Sequence, residues 1–226
     1  MRRLSLATLL ALLVCLSASA NAATLTLGLD VEFSGATPPA SGTTPWVTAT
    51  FDDSFGGPNT TVRLTMTADN LTGNENLELF HFNFDPSLDP NALTFTAVDN
   101  SASNPENGKG DNGIFTGVNA FMANGDGNYD IVFNFPPPPG GGGNRFTGGE
   151  SVIYDITYTS AIDVNSFNFL SDEGGGQGSF LAAAHIQRIG GTDSGWIGVV
   201  PEPSTASLLG LGLVGVASIR RRRRST

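Results

Sequence analysis

The side chains best suited to chemistry in this sequence are few. His81 and His185 are the only histidines, and each sits in an apolar run, between Phe80 and Phe82 and between Ala184 and Ile186. A shared acid–base or metal role requires the two to meet in space; a lone histidine in such a run is a packing residue. Asn124, Asp126, Asn128 and Asp130 place an oxygen-bearing side chain at every second position of Asn124-Gly125-Asp126-Gly127-Asn128-Tyr129-Asp130. A hard cation wants several oxygens at once, which makes these four the candidate calcium ligands. The fit to an EF-hand loop is poor: Gly127 falls at the fourth position of the loop instead of the sixth, and Phe135 stands where the bidentate glutamate belongs. A turn leading into a strand accounts for the same residues. Asp52-Asp53 and Asp172-Glu173 would supply carboxylates to a glycosidase, although adjacent acids in solvated loops carry no such role by themselves. No phosphate-binding loop, dinucleotide fingerprint, HExxH pair or nucleophile elbow is present, and no pattern around Asp193-Ser194-Gly195 supports a triad. No catalytic residue is assigned.

The elements that must position these residues read as strands. Val62, Leu64 and Met66 alternate with Arg63, Thr65 and Thr67, and Leu93, Phe95 and Ala97 alternate with Thr94 and Thr96. Tyr129 to Phe135 and Val152 to Tyr158 repeat the pattern, each bounded by Gly, Asn, Asp or Pro. Leu25–Val31, Trp46–Phe51, Leu77–Phe84 and Val164–Leu170 are further strand candidates. Within Leu77–Phe84 the apolar parity changes, which predicts a bulge or a strand covered on both faces. Leu181–Ile189 reads as the last strand. Eight to ten strands without helical interludes predict an all-β fold, an antiparallel β-sandwich or jelly roll over residues 23–200. Trp46, Phe146, Phe180 and Trp196 lie near loops or strand ends and are read as caps on the core rather than as an exposed sugar platform.

Both ends read as targeting segments. Residues 1–22 form a signal peptide for Sec export: Arg2 and Arg3, an apolar Leu4–Leu16, then Ala18-Ser19-Ala20 and Ala20-Asn21-Ala22 as small-residue cleavage sites. Cys15, the only cysteine, leaves with it, so the mature chain has no thiol or disulfide. At the other end come Pro201-Glu202-Pro203-Ser204, an apolar segment Ala206–Ile219, and five arginines, Arg220, Arg221, Arg222, Arg223 and Arg224. A helix over the apolar segment would be roughly 21 Å long, short of a bilayer core of about 30 Å. It is a marginal, short transmembrane segment. The arginines would stay cytoplasmic, leaving the proline motif extended outside the far membrane face.

These three parts, in this order, resemble the PEP-CTERM sorting tail of Gram-negative bacteria, with the likeness confined to residues 201–226. The resemblance implies recognition by an exosortase, transient anchoring in the inner membrane, and release or re-anchoring at the cell surface or extracellular matrix. It also implies association with exopolysaccharide and biofilm. Some ice-binding proteins carry a similar tail, but no regular Thr-x-Thr ladder repeated across strands stands out in the sequence.

Charge narrows the class of partner. The chain has 11 Lys+Arg against 21 Asp+Glu, and the ends hold most of the basic residues. Arg63, Lys109, Arg145 and Arg188 alone remain between residues 24 and 200, which carry a net charge of −16. Nucleic acid and anionic lipid would repel such a domain; cations and neutral glycans would not. The expectation is a secreted, non-enzymatic structural or adhesive protein. A cohesin- or lectin-like module binding carbohydrate or calcium is the alternative, and a hydrolase with an unrecognised carboxylate site the second alternative. Apart from calcium, no cofactor is expected.

Overall fold

The computed structural model describes residues 23–34, 42–54, 60–99, 113–124, 126–135, 145–175 and 178–200. The signal-peptide and sorting-tail readings, on residues 1–22 and 201–226, lie outside the described residues. Among the described residues are twelve strands and no α-helix. They are β1 (Thr24–Leu29), β2 (Val31–Glu32), β3 (Val47–Asp52), β4 (Thr61–Thr67), β5 (Asn76–Phe82) and β6 (Thr94–Asp99). β7 (Gly113–Ala123), β8 (Asp126–Asn134), β9 (Phe146–Thr147), β10 (Ser151–Thr157), β11 (Ala182–Ile189) and β12 (Asp193–Val199) follow. No described helix is long and apolar enough to cross a membrane.

A smaller sheet runs β1-β3-β4-β10-β6, and a larger one runs β2-β12-β11-β5-β8-β7, with β9 paired to β5 beside β8. All these pairings are antiparallel. The period-two pattern sends Val47, Ala49 and Phe51, then Val62, Leu64 and Met66, then Val152, Tyr154 and Ile156 to one face of the smaller sheet. They meet Phe80, Phe82, Ile131, Phe133, Ala182, Ala184 and Ile186 of the larger sheet in a single core. Ring pairs cross it, with Phe51 edge-on to Phe82 at 5.3 Å and stacked on Phe167 at 4.5 Å. The result is a β-sandwich, as the alternation predicts.

The parity change in β5 is a bulge. His185 and Ile186 are consecutive in β11, but their partners Leu79 and Leu77 skip Glu78. From that point Phe80 and Phe82 face the core, and Leu79 and His81 face outward.

Three sequence expectations need correction. Val164–Leu170 is not a strand: Asp163 accepts from the backbone N–H groups of Asn165 and Ser166 and caps a 3-10 turn over Val164–Phe167. Leu181–Ile189 is a strand but not the last one, since β12 follows it. β7 was not expected either, because a displaced loop interrupts its alternation: the β7–β8 register jumps between Thr116 and Phe121.

Candidate functional site: two outward faces

The outward face of the smaller sheet is a grid. One row runs Gly28, Thr48, Thr67, Ser151, the next Thr26, Thr50, Thr65, Ile153, and the third Thr24, Asp52, Arg63, Asp155, Thr96. Neighbours within a row stand about 4.8 Å apart, the spacing of paired strands. The Thr26 and Thr50 hydroxyls approach to 3.4 Å. Arg63 grips Asp155 with two bonds, Nε to Oδ1 at 2.8 Å and Nη2 to Oδ2 at 3.0 Å. Thr48-Ala49-Thr50 and Thr65-Met66-Thr67 lie in register on adjacent strands and Thr26 extends one of their two rows, whereas Thr24 faces Asp52 and Gly28 faces Thr48, so the rows are short and the triplets form no regular ladder across the sheet. Repetition of the triplet in two of the predicted strands was the signal that could have found these rows.

The outward face of the larger sheet is mostly covered. Phe33, Tyr129, Phe180, Ala183 and Trp196 form a second buried cluster there. Phe33 stacks on Phe180 at 4.6 Å. Gly198 has no Cβ because the Phe180 ring occupies that space. Both histidines converge on the same indole: His185 stacks on Trp196 at 4.9 Å, and His81 meets it at 5.2 Å with Tyr129 on another side at 5.4 Å. His81 is 3% exposed and its Nδ1 has no hydrogen-bond partner among the described residues. Desolvation first, with the His185 charge as a lesser cause, pushes its pKa down to about 3, so the ring is neutral at physiological pH. His185 Nδ1 bonds Glu78 Oε2 at 2.6 Å, and this bond is the main reason the Glu78 carboxyl lies below the usual glutamate range. Beside His81 opens a groove of about 480 Å³, lined by Leu79, Phe115, Phe121, Met122 and Val132 among others. All of these are uncharged.

Of the four candidate calcium ligands, the side chains of Asn124, Asn128 and Asp130 are among the described residues. Asn124 is exposed in the β7–β8 turn at φ 51°. The Asp126 backbone pairs with Ala123, and its side chain lies outside the described residues. Asn128 bridges to Asp172 through backbone bonds of 3.0 and 3.2 Å. Asp130 is buried where β8 parts from both neighbours; Oδ2 accepts from Phe84 N–H at 2.9 Å and Oδ1 from Asn119 N–H at 2.8 Å. One carboxylate thus replaces two missing ladder bonds. Among the described residues no group of three His, Cys, Asp or Glu is placed to hold a metal.

Three of the four acidic residues read as possible hydrolase groups accept hydrogen bonds. Asp52 accepts from Ser54 N–H, Asp53 from Ala23 N–H, and Asp172 from the Asn119 amide. Trp46 and Phe146 lie in the main core, while Phe180 and Trp196 lie in the second cluster, so none of the four is an exposed platform.

β12 ends at Val199, two residues before Pro201. Residues 199–224 match the family model of the PEP-CTERM protein-sorting motif. The tail carries that motif. It marks a chain for export and for recognition by an exosortase during passage through the membrane toward the cell surface. Comparison with curated proteins and with solved structures gives no match to the chain.

Proposed function

We propose that the sandwich is the non-enzymatic cargo of its sorting tail, a structural or adhesive component that associates with exopolysaccharide in the surface matrix. The observation that carries this reading is the sorting motif, whose match begins at Val199, the last residue of the last described strand of a β-sandwich. The threonine grid supports the polymer contact. Its two hydroxyl-rich rows offer donors and acceptors at strand spacing to a hydroxylated chain, and a neutral polymer escapes the repulsion of the net −16. The test is co-sedimentation of the mature protein with exopolysaccharide from an exosortase-bearing host. Thr50→Val with Thr65→Val keeps side-chain shape and removes two hydroxyls; binding should fall several-fold. Binding unchanged by the pair would remove the grid from the reading. The same variants assayed for ice-recrystallisation inhibition tell a polymer-binding face from a water-ordering one.

A second reading, a binding module for a neutral ligand, is favoured by the uncharged groove beside His81. A glycan array with Phe121→Ala as control tests it. Thermal melts in calcium, magnesium and chelator, with Asp126→Ala, test the calcium form of that reading; a calcium-only rise in Tm lost in the variant would support it.

A further inference from the structure

We propose that removal of the leader completes the fold: hydrolysis of the Ala22–Ala23 bond frees an α-ammonium on Ala23 that pairs with Asp53 and pins the edge strand β1 to β3. The inference rests on reading residues 1–22 as a signal peptide. It adds a particular scissile bond and a structural use for the terminus that cleavage creates.

Two bonds place these residues together. Ala23 N–H donates to Asp53 Oδ1 at 2.7 Å, and Asp53 N–H donates to the Ala23 carbonyl at 3.2 Å. They continue the ladder one step beyond the Thr24–Asp52 pair. Ala20-Asn21-Ala22 sets small residues one and three positions before that bond, as a leader peptidase requires. In the uncleaved chain the Ala23 nitrogen is a neutral amide with a single hydrogen. Hydrolysis breaks its C–N bond; the water oxygen goes to the Ala22 carboxylate, and the nitrogen gains two protons to become an ammonium. A charge-assisted bond is roughly twice as strong as a neutral one. The position matters because, among the described residues, β1 is paired on one side alone, by β3, and Thr24 and Thr26 are exposed. The other charges at this corner have their own contacts. Asp52 accepts from Ser54 N–H, and Arg63 is held by Asp155. Asp53 is the carboxylate that meets the new terminus.

The chain suits a clean test, because Lys109 is its only lysine. Intact mass and N-terminal sequencing of the mature protein should find Ala23 first. A terminus at Asn21 would overturn the pairing while leaving the leader reading intact, whereas retention of residues 1–22 would overturn both. The mature protein is then acetylated at its amines, which removes charge, or reductively dimethylated, which keeps it; Lys109→Arg confines either reaction to the terminus. Acetylation should lower Tm by about 2 °C at pH 6.5, dimethylation should not. The difference should fade above pH about 8, where the amine loses its proton. In Asp53→Asn the acetylation effect should vanish. Equal shifts for the two modifications, or an acetylation effect that survives Asp53→Asn, would overturn the proposal.

Discussion

On the smaller sheet the outward positions of β3, β4 and β10 hold Thr, Ser, Asp or Arg, with Ile153 the one exception. On the larger sheet the outward positions of β5, β11 and β12 include Leu79, His81, Ala183, His185 and Trp196, with Gly198 at one end and the polar pair Gln187 and Ser194 at the other. The two faces arise from the same alternation, yet one meets water and the other is roofed by Phe33 and Phe180. Strand periodicity therefore decides which residues share a face. What lies above that face is decided by segments outside the strands. The two faces also differ in chemistry: one sets hydroxyls in register, the other sets an uncharged groove beside a caged imidazole.

The comparison is sharpest at Trp196, against which both histidines and Phe33 pack. Trp196→Ala should cost about 3–5 kcal/mol in equilibrium unfolding. Thr50→Val on the opposite face should stay within about 0.5 kcal/mol. Equal losses would mean that the covered face is no second core.

Acid should distinguish the faces next. His81 binds its proton more weakly folded than unfolded, so stability is lost as pH falls below about 6.5, the unfolded value. The loss continues toward about 3, the folded value. The slope approaches about 1.4 kcal/mol per pH unit. Glu78, also depressed when folded, acts in the same direction at lower pH, its contribution being lost as pH falls through its folded value. Urea melts between pH 7 and 4 should steepen in the wild type and flatten in His81→Phe; an unchanged slope would take the histidine cage out of the account.

Asp130→Ala comes third. It strands the Phe84 and Asn119 N–H groups at the margin of the larger sheet and should cost about 1–3 kcal/mol. Amide exchange at those two residues should rise with it. Arg63→Ala on the exposed face should cost less than Asp130→Ala, about 0.2–1 kcal/mol, and the loss should be screened by salt. A larger, salt-independent loss would show that this face is less solvated than the comparison holds.

The sequence disclosed the sandwich because Val62-Arg63-Leu64-Thr65-Met66 and its counterparts have one plain period. It disclosed the tail because Pro-Glu-Pro, an apolar run and arginines are contiguous. β12 stayed hidden behind Gly195 and Gly198, glycines that read against a strand although Phe180 requires the second. β7 stayed hidden because the loop around Asn119, held at φ 47°, breaks its alternation. The meeting of His81 and His185 on one indole depends on the β5–β11 and β11–β12 pairings, which bring distant residues together, and no local pattern encodes it.

The strand order also imposes a timetable. β4 gains its second neighbour only when β10 is available, and β5 meets β12 only through β11, which lies between them. Long-range pairs of this kind must pay their loop-closure entropy before any contact repays it. A chain threaded out from its N-terminus would thus cross most of its length unclosed, its half-built sheets still reversible. The larger sheet can close only once Val199 is through, and the next residue but one is Pro201. Completion of the fold and arrival of the sorting signal would then coincide, so that a truncated chain would offer the processing machinery neither a finished domain nor a signal.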